Sequence, residues 1–71
     1  MTVMVTIEHV RAARLAGTGV LCAPGIHAWA RRHGVDLRRL SRGGIPVEEA
    51  DRIGDEFARR VAAIARAEAA R

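Results

Sequence analysis

Apolar residues near the start of the chain change their spacing from every second position to every third or fourth. Valines alternate with other residues in the first five positions, which is typical of a strand, but Thr6 is a good residue to cap a helix. We therefore predict a short extended arm and then a first helix over residues 7–16, ended by Gly17 and Gly19. Pairing of the arm with a strand of a neighbouring molecule stays open, because the arm has little else to pack against.

The middle of the chain predicts two shorter helices. Pro24 suits the first turn of the second helix, which carries Trp29 and ends at Gly34. Asp36 then caps a short third helix. This helix is expected to end at the glycine pair of residues 43–44, because glycine takes left-handed backbone angles without a steric cost.

The regular pattern of the last third of the chain predicts the longest helix. Pro46 suits its first turn, acidic side chains follow at once, and arginines dominate the later turns, which complements the helix dipole. Steps of three and four residues connect the positions of one face: Val47, Ala50, Gly54, Phe57, Val61, Ile64 and Glu68. We predict one uninterrupted helix from Pro46 through this series.

These elements predict an all-α fold: a small bundle of three to four helices with a short extended N-terminal arm and a long C-terminal helix. Residues 1–71 are expected to form a single small helical domain, because 71 residues with 49% hydrophobic composition leave no room for a second core. Trp29 and Phe57 are the only aromatic residues. We expect them to fill the core where the second helix crosses the last one, with an interface anchor as the alternative role of Trp29.

Positive charge is concentrated in the first half of the chain. All twelve basic residues are arginines: residues 1–45 carry seven of them against two acids (+5), and residues 46–71 carry five against six acids (−1). Fourteen alanines and twelve arginines indicate GC-rich coding, which can raise the arginine content without selection for contacts with phosphate. The positive charge is therefore weak evidence for nucleic-acid binding, although it still favours acidic partners. We expect the basic half to form the contact surface, with these partner-binding residues: Trp29, Arg31, Arg32, Arg38, Arg39 and Arg42.

Residues 30–42 are similar to a helix-turn-helix motif, because a small residue, a turn glycine and a leucine follow at the right spacing: Ala30, Gly34 and Leu40. Arg38, Arg39 and Arg42 would then lie on the helix that enters the major groove of DNA. The next apolar position of the motif falls on Gly43, where the helix is expected to end. DNA binding is therefore an alternative to a solvated basic face.

The residues give little support for catalysis or metal binding. Cys22, His27 and His33 do not match the spacing of a zinc site, and the two histidines point to different sides of one helix. A reactive thiol at Cys22 would have no third group to orient a base. Because a glycine-rich phosphate loop and a facing pair of carboxylates are also missing, we expect no enzyme activity, no cofactor and no metal.

Two features bear on where the protein acts. Cys22 is the single cysteine and cannot form an internal disulfide, and the first nine residues lack the charged start and apolar run of a secretion signal. The longest stretch without a formal charge, residues 15–30, is too short and too interrupted to span a bilayer. We therefore expect the protein to act in a reducing cytoplasm and to make no contact with a membrane.

Five short segments of the chain occur in a characteristic order. They are Val5-Thr6-Ile7-Glu8-His9-Val10-Arg11, Cys22-x-x-Gly25-x-x-Ala28-Trp29, Arg32-His33-Gly34-Val35-Asp36, Gly44-Ile45-Pro46-Val47-Glu48-Glu49 and Gly54-Asp55. In this order the chain resembles small helical proteins that temperate phages and prophages encode in their late structural gene region, near the head–tail and tail modules. It departs from that pattern at Ala23-Pro24, at Ala30 and Leu37, and in a longer loop over residues 16–21.

The resemblance implies a phage protein in the host bacterial cytoplasm or the virion, and it brings no catalytic residues. A chain of this size buries only about 60% of its unfolded surface, so packing into a homo-oligomer or onto virion subunits would stabilise it. We therefore expect a non-enzymatic protein-binding module of virion assembly, a head–tail or tail component. Two alternatives stay open: a helix-turn-helix protein that binds nucleic acid, and a small phage inhibitor of a host defence complex, similar to anti-CRISPR proteins.

Overall fold

The structure of the protein is a computed structural model that describes the backbone of residues 3–16 and 23–71 and the side chains of residues 3–13 and 25–71. Its elements follow in the order β1 (Met4–Val5), α1 (Ile7–Ala16), α2 (Ala23–His33), α3 (Leu37–Ser41), β2 (Ile45–Pro46), α4 (Val47–Ile53) and α5 (Glu56–Ala69). The predicted helix stop at Gly17 and Gly19 and the thiol of Cys22 lie outside the described residues.

The first three predicted helices are confirmed. The helix α1 has the predicted bounds, and α2 stops before Gly34, whose φ of 68° is the left-handed conformation that suits glycine. Asp36 caps α3, since its Oδ1 accepts a hydrogen bond of 2.9 Å from the backbone N–H of Arg38. These helices therefore begin and end where local signals in the sequence place them.

The prediction of one long C-terminal helix is wrong, because α4 and α5 are separated at Gly54 and Asp55. Gly54 has a φ of 71°, and its N–H donates to the carbonyl of Ala50, which ends α4. Asp55 then starts α5, since its Oδ1 accepts a hydrogen bond of 2.7 Å from the N–H of Ala58. Both helices contribute to the same core, so the apolar spacing continues across the break and conceals it.

The extended arm pairs within the chain. The strands β1 and β2 form an antiparallel sheet, with Met4 opposite Pro46 and Val5 opposite Ile45. The fold is mostly helical, as predicted, but the described residues form five helices where three to four were expected, and they add this small sheet. The strand partner of the arm is thus a segment of the same molecule.

The turn before β2 brings two backbone segments into contact. Gly44 has a φ of 95°, and a Cβ at this position would collide with the carbonyl oxygen of Val5. Its N–H donates to the carbonyl of Arg39 at 2.8 Å. Glycine is required here for both its backbone angle and the space, and the turn places β2 beside β1.

One hydrophobic core joins the two halves of the chain. Trp29 and Phe57 are each 8% exposed, and their rings meet edge to face with centroids 5.1 Å apart. This contact confirms the predicted packing of the second helix on the C-terminal region, where α5 takes the place of the long helix. In the part of the chain that the structure describes, no helix is long and apolar enough to cross a membrane.

Candidate functional site

Five of the six predicted contact residues are exposed arginines of α2 and α3. They are Arg31 and Arg32 in the last turn of α2, Arg38 and Arg39 on α3, and Arg42, which caps the C-terminal end of α3. The two helices are held to the core by Ala30 and Leu40, which are 3% and 2% exposed. Because these apolar side chains face inward, the arginines are left on the outer surface.

Three of these arginines meet at one surface depression. The depression has a volume of about 360 Å³ and is lined by Arg38, Arg39 and Arg42, together with Asp36 and Gly44. We call these three arginines the α3 arginine cluster. Asp36 is present because it caps α3, and Gly44 because the turn into β2 passes there. Arg31 and Arg32 do not line this depression. The structure thus groups the predicted arginines into a cluster of three and a separate pair.

Within the α3 arginine cluster, Arg39 differs from the other two in having an intramolecular acid. Its Nη2 lies 3.2 Å from Oε1 of Glu49 on α4. Among the described residues, Arg38 and Arg42 form no ion pair with any carboxylate. The exposed Arg31, Arg32, Arg52, Arg59 and Arg71 likewise form none, whereas Arg11, Arg60 and Arg66 pair with Glu8, Glu56 and Asp51. Arg38 and Arg42 are therefore the two arginines of the depression that have no ion-pair partner among the described residues.

The spacing of Arg38 and Arg42 determines how these charges act on each other. Arg38 lies on α3 and Arg42 is the C-cap four residues later, and both line the same depression, so their positive charges repel each other. The C-terminal end of a helix attracts cations, which opposes the repulsion. The fold tolerates both arginines, and an anion between them would supply the missing counter-charge.

Trp29, the sixth predicted contact residue, lies apart from this depression and is buried. Its ring centroid lies 5.1 Å from that of Phe57 and 5.8 Å from that of His33, and its Nε1 donates a hydrogen bond of 2.8 Å to Oδ2 of Asp55. These contacts use the side chain to attach α2 to the start of α5. Its role in partner binding stays a prediction.

Asp55 has a structural role that the sequence pattern did not single out. Its carboxylate accepts from the N–H of Ala58 and from Trp29, and Nε2 of His33 lies 3.3 Å from Oδ2. The available signal was the pair Gly54-Asp55 inside the apolar series, because glycine ends helices and aspartate begins them.

His9 is a buried polar residue, 5% exposed, that joins α1 to α5. Its Nδ1 accepts a hydrogen bond of 2.9 Å from the N–H of Thr6, as the glutamate of a capping box does at the same helix position. That acceptor role assigns the ring proton to Nε2. Nε2 lies 3.2 Å from Oε2 of Glu68, but the pair is not aligned for a hydrogen bond.

The histidines do not converge on a metal site. Among the residues that the structure describes, no three His, Cys, Asp or Glu side chains are close enough to share a metal ion. His27 is exposed on α2, whereas His33 faces Asp55. Cys22, the third residue considered as a zinc ligand, lies outside the described residues.

Comparison of the chain with protein-family models, with curated proteins and with solved structures found no match.

Proposed function

We propose that the protein is a non-enzymatic binding module whose basic surface on α2 and α3 contacts an acidic surface of another protein. The observation that carries this proposal is the pair Arg38 and Arg42, which are exposed and have no acidic partner among the described residues. Desolvated charged groups in an interface fix orientation and exclude wrong partners, and exposed ones speed the encounter. An acidic patch on the partner would therefore both speed the association and fix the orientation of the complex.

The length of α3 favours a protein partner over the major groove of DNA. This helix, Leu37–Ser41, has five residues, and Gly43 and Gly44 prevent its continuation. A recognition helix must reach several base edges with its side chains. Arg39, which would have to read a base, is instead held by Glu49.

The resemblance to late structural phage proteins supports a partner among virion subunits. A small domain gains stability by mass action when it packs onto a larger assembly. We therefore place the protein in virion assembly, around the head–tail connector or the tail. An inhibitor of a host defence complex would use the same kind of surface on a different partner.

The test begins with a tagged chain recovered from phage-producing cells, with bound proteins identified by mass spectrometry. Each purified candidate partner is then titrated against the wild-type chain and the double variant Arg38→Gln/Arg42→Gln. We expect a virion subunit with an acidic surface whose affinity falls about tenfold or more in the double variant and weakens with added salt. The matched control is Arg59→Gln, because Arg59 is exposed on α5 and has no ion pair within the described residues.

Three results would contradict the proposal in different ways. A partner that binds the double variant, and also the variant Arg31→Gln/Arg32→Gln, as tightly as the wild type would show that the basic surface is not the interface. A host complex in place of virion subunits would replace the assembly role with inhibition. Tighter binding to duplex DNA than to any protein, with the steep salt dependence of phosphate contacts, would favour the helix-turn-helix alternative.

A further inference from the structure

We propose that the depression at the α3 arginine cluster is a site for one carboxylate, in which Arg38 and Arg42 bind a single aspartate or glutamate side chain of the partner. This inference rests on the proposed function, because it names the chemical group that the basic surface receives. It adds that two arginines at one site account for recognition. In a general basic face, all five arginines would contribute.

The charge balance of the depression matches one negative charge. The three arginines of the cluster and Asp36 carry a net charge of +2, since three positive charges face one negative charge. Glu49 neutralises Arg39 from the neighbouring helix α4, which leaves +1. A carboxylate carries one negative charge and would bring the site to neutrality.

A neighbouring pair in the same structure shows how the site can hold such a group. The carboxylate of Glu49 lies against the guanidinium of Arg39 at 3.2 Å, with Glu49 about one-third exposed. Guanidinium groups are planar and present parallel donors that fit a carboxylate. Arg38 and Arg42 provide two further guanidinium groups at the same depression, and its volume of about 360 Å³ is ample for an acidic side chain.

The same charges disfavour a phosphate group. A phosphate monoester carries between one and a half and two negative charges, roughly, at neutral pH. The second charge would exceed the single uncompensated positive charge of the site, and it would lie near the carboxylate of Asp36. The lining is thus better matched to an acidic peptide than to a phosphorylated one or to a nucleic acid backbone.

The test uses the full chain and a fluorescent oligoglutamate peptide at low ionic strength, with fluorescence anisotropy as the measurement. We expect Arg38→Gln and Arg42→Gln each to weaken binding about two- to fivefold, as expected for loss of a charged pair on a protein surface. The control Arg59→Gln should bind as the wild type does. In ¹⁵N NMR spectra of the wild-type chain, the peptide should shift the Gly44 amide and the side-chain Nε resonances of Arg38 and Arg42.

A second arm compares sodium acetate with sodium phosphate at matched ionic strength, by the same NMR resonances. Acetate should shift them at lower or equal concentration. The opposite order, with phosphate clearly stronger, would overturn the carboxylate assignment. Circular dichroism and urea unfolding of each variant show whether it is folded, and a variant that is folded but binds the peptide like the wild type would overturn the site.

Failure of this inference is distinguishable from failure of the proposed function. If the peptide binds equally to the variants of Arg38 and Arg42, but Arg31→Gln and Arg32→Gln weaken it, the basic surface stands and the single site at α3 is wrong. Absence of peptide binding also overturns the site. An authentic partner that is insensitive to substitution of all five arginines would instead contradict the proposed function.

Discussion

The indole Nε1 of Trp29 donates a hydrogen bond of 2.8 Å to one carboxylate oxygen of Asp55, whose other oxygen caps the first turn of α5. A single carboxylate thus caps the start of α5 and also attaches α2 to it. This relationship joins a residue of the second helix to a junction that apolar periodicity does not reveal. It identifies Asp55 as the polar residue on which the packing of α2 depends.

Replacing Asp55 should destabilise the protein in two separable ways. Asp55→Ala removes the cap and leaves the nearly buried indole N–H without an acceptor, so we expect a loss of about 2–3 kcal/mol in the free energy of unfolding. Asp55→Asn keeps one oxygen for the cap and should cost less. Urea unfolding followed by circular dichroism measures both variants, and equal losses would contradict the double role.

Gly44→Ala should destabilise the protein more than Gly43→Ala. Both glycines have positive φ angles, 95° and 121°, so both substitutions strain the backbone by about 1 kcal/mol or more. Only the Cβ at residue 44 would collide with the Val5 carbonyl, whereas the Cβ at Gly43 would have no neighbour within 4 Å. Thermal unfolding of the two variants should show the larger decrease in Tm for Gly44→Ala, and the reverse order would contradict the close approach of the turn to β1.

The stability of the protein should depend on whether the side chain at residue 9 can accept a hydrogen bond from the N–H of Thr6. His9→Gln can keep an acceptor at this position, as glutamine does in capping boxes, and should be tolerated. His9→Leu fills similar space without an acceptor, and we expect a loss of about 1 kcal/mol. Urea midpoints compare the pair, and a leucine variant as stable as the glutamine variant would argue against the capping role.

Stability should decrease in acid through the pair of Asp51 on α4 and Arg66 on α5. Arg66 donates two hydrogen bonds to this carboxylate, at 3.1 Å and 2.6 Å, and they hold the pKa of Asp51 below its usual value of 3.8. A lowered pKa in the folded state contributes stability above pH 3.8, and that contribution is lost as the pH falls through the folded value. The pair is exposed, so salt should weaken it.

The measurement is urea unfolding of the wild type and Asp51→Asn between neutral pH and acid. The difference between the two should be largest at neutral pH and should shrink below pH 3.8. Glu56→Gln is the matched control, because Glu56 pairs with Arg60 but is almost fully exposed. A difference between wild type and Asp51→Asn that is independent of pH would exclude the ion pair as its source.

Much of the helical structure could be predicted because it depends on local signals. Thr6 and Asp36 precede helices that begin where expected, and Gly34 ends α2. The break at Gly54 is hard to predict because the three-and-four spacing of apolar positions continues through it, and only Gly54 and Asp55 mark it locally. The sheet could not be predicted, because two-residue strands have almost no periodicity and their pairing depends on the backbone turn at Gly44.

The candidate site was predictable in its residue types and not in its charge balance. The sequence shows five arginines within residues 31–42, and the structure confirms that they are exposed. Whether an arginine has a counter-charge depends on contacts between distant elements, such as that of Arg39 with Glu49. That tertiary contact distinguishes Arg38 and Arg42 from Arg39, and no spacing in the chain reveals it.

The pairing of β1 with β2 gives the first residues of the chain an influence on a distant surface. Val5 and Ile45 are 40 positions apart, and the Val5 carbonyl lies against Gly44, which also borders the arginine depression. Removal of residues 1–5 would take away the segment that packs against Gly44, so we expect it to change the affinity of the proposed site for an anion without changing an arginine.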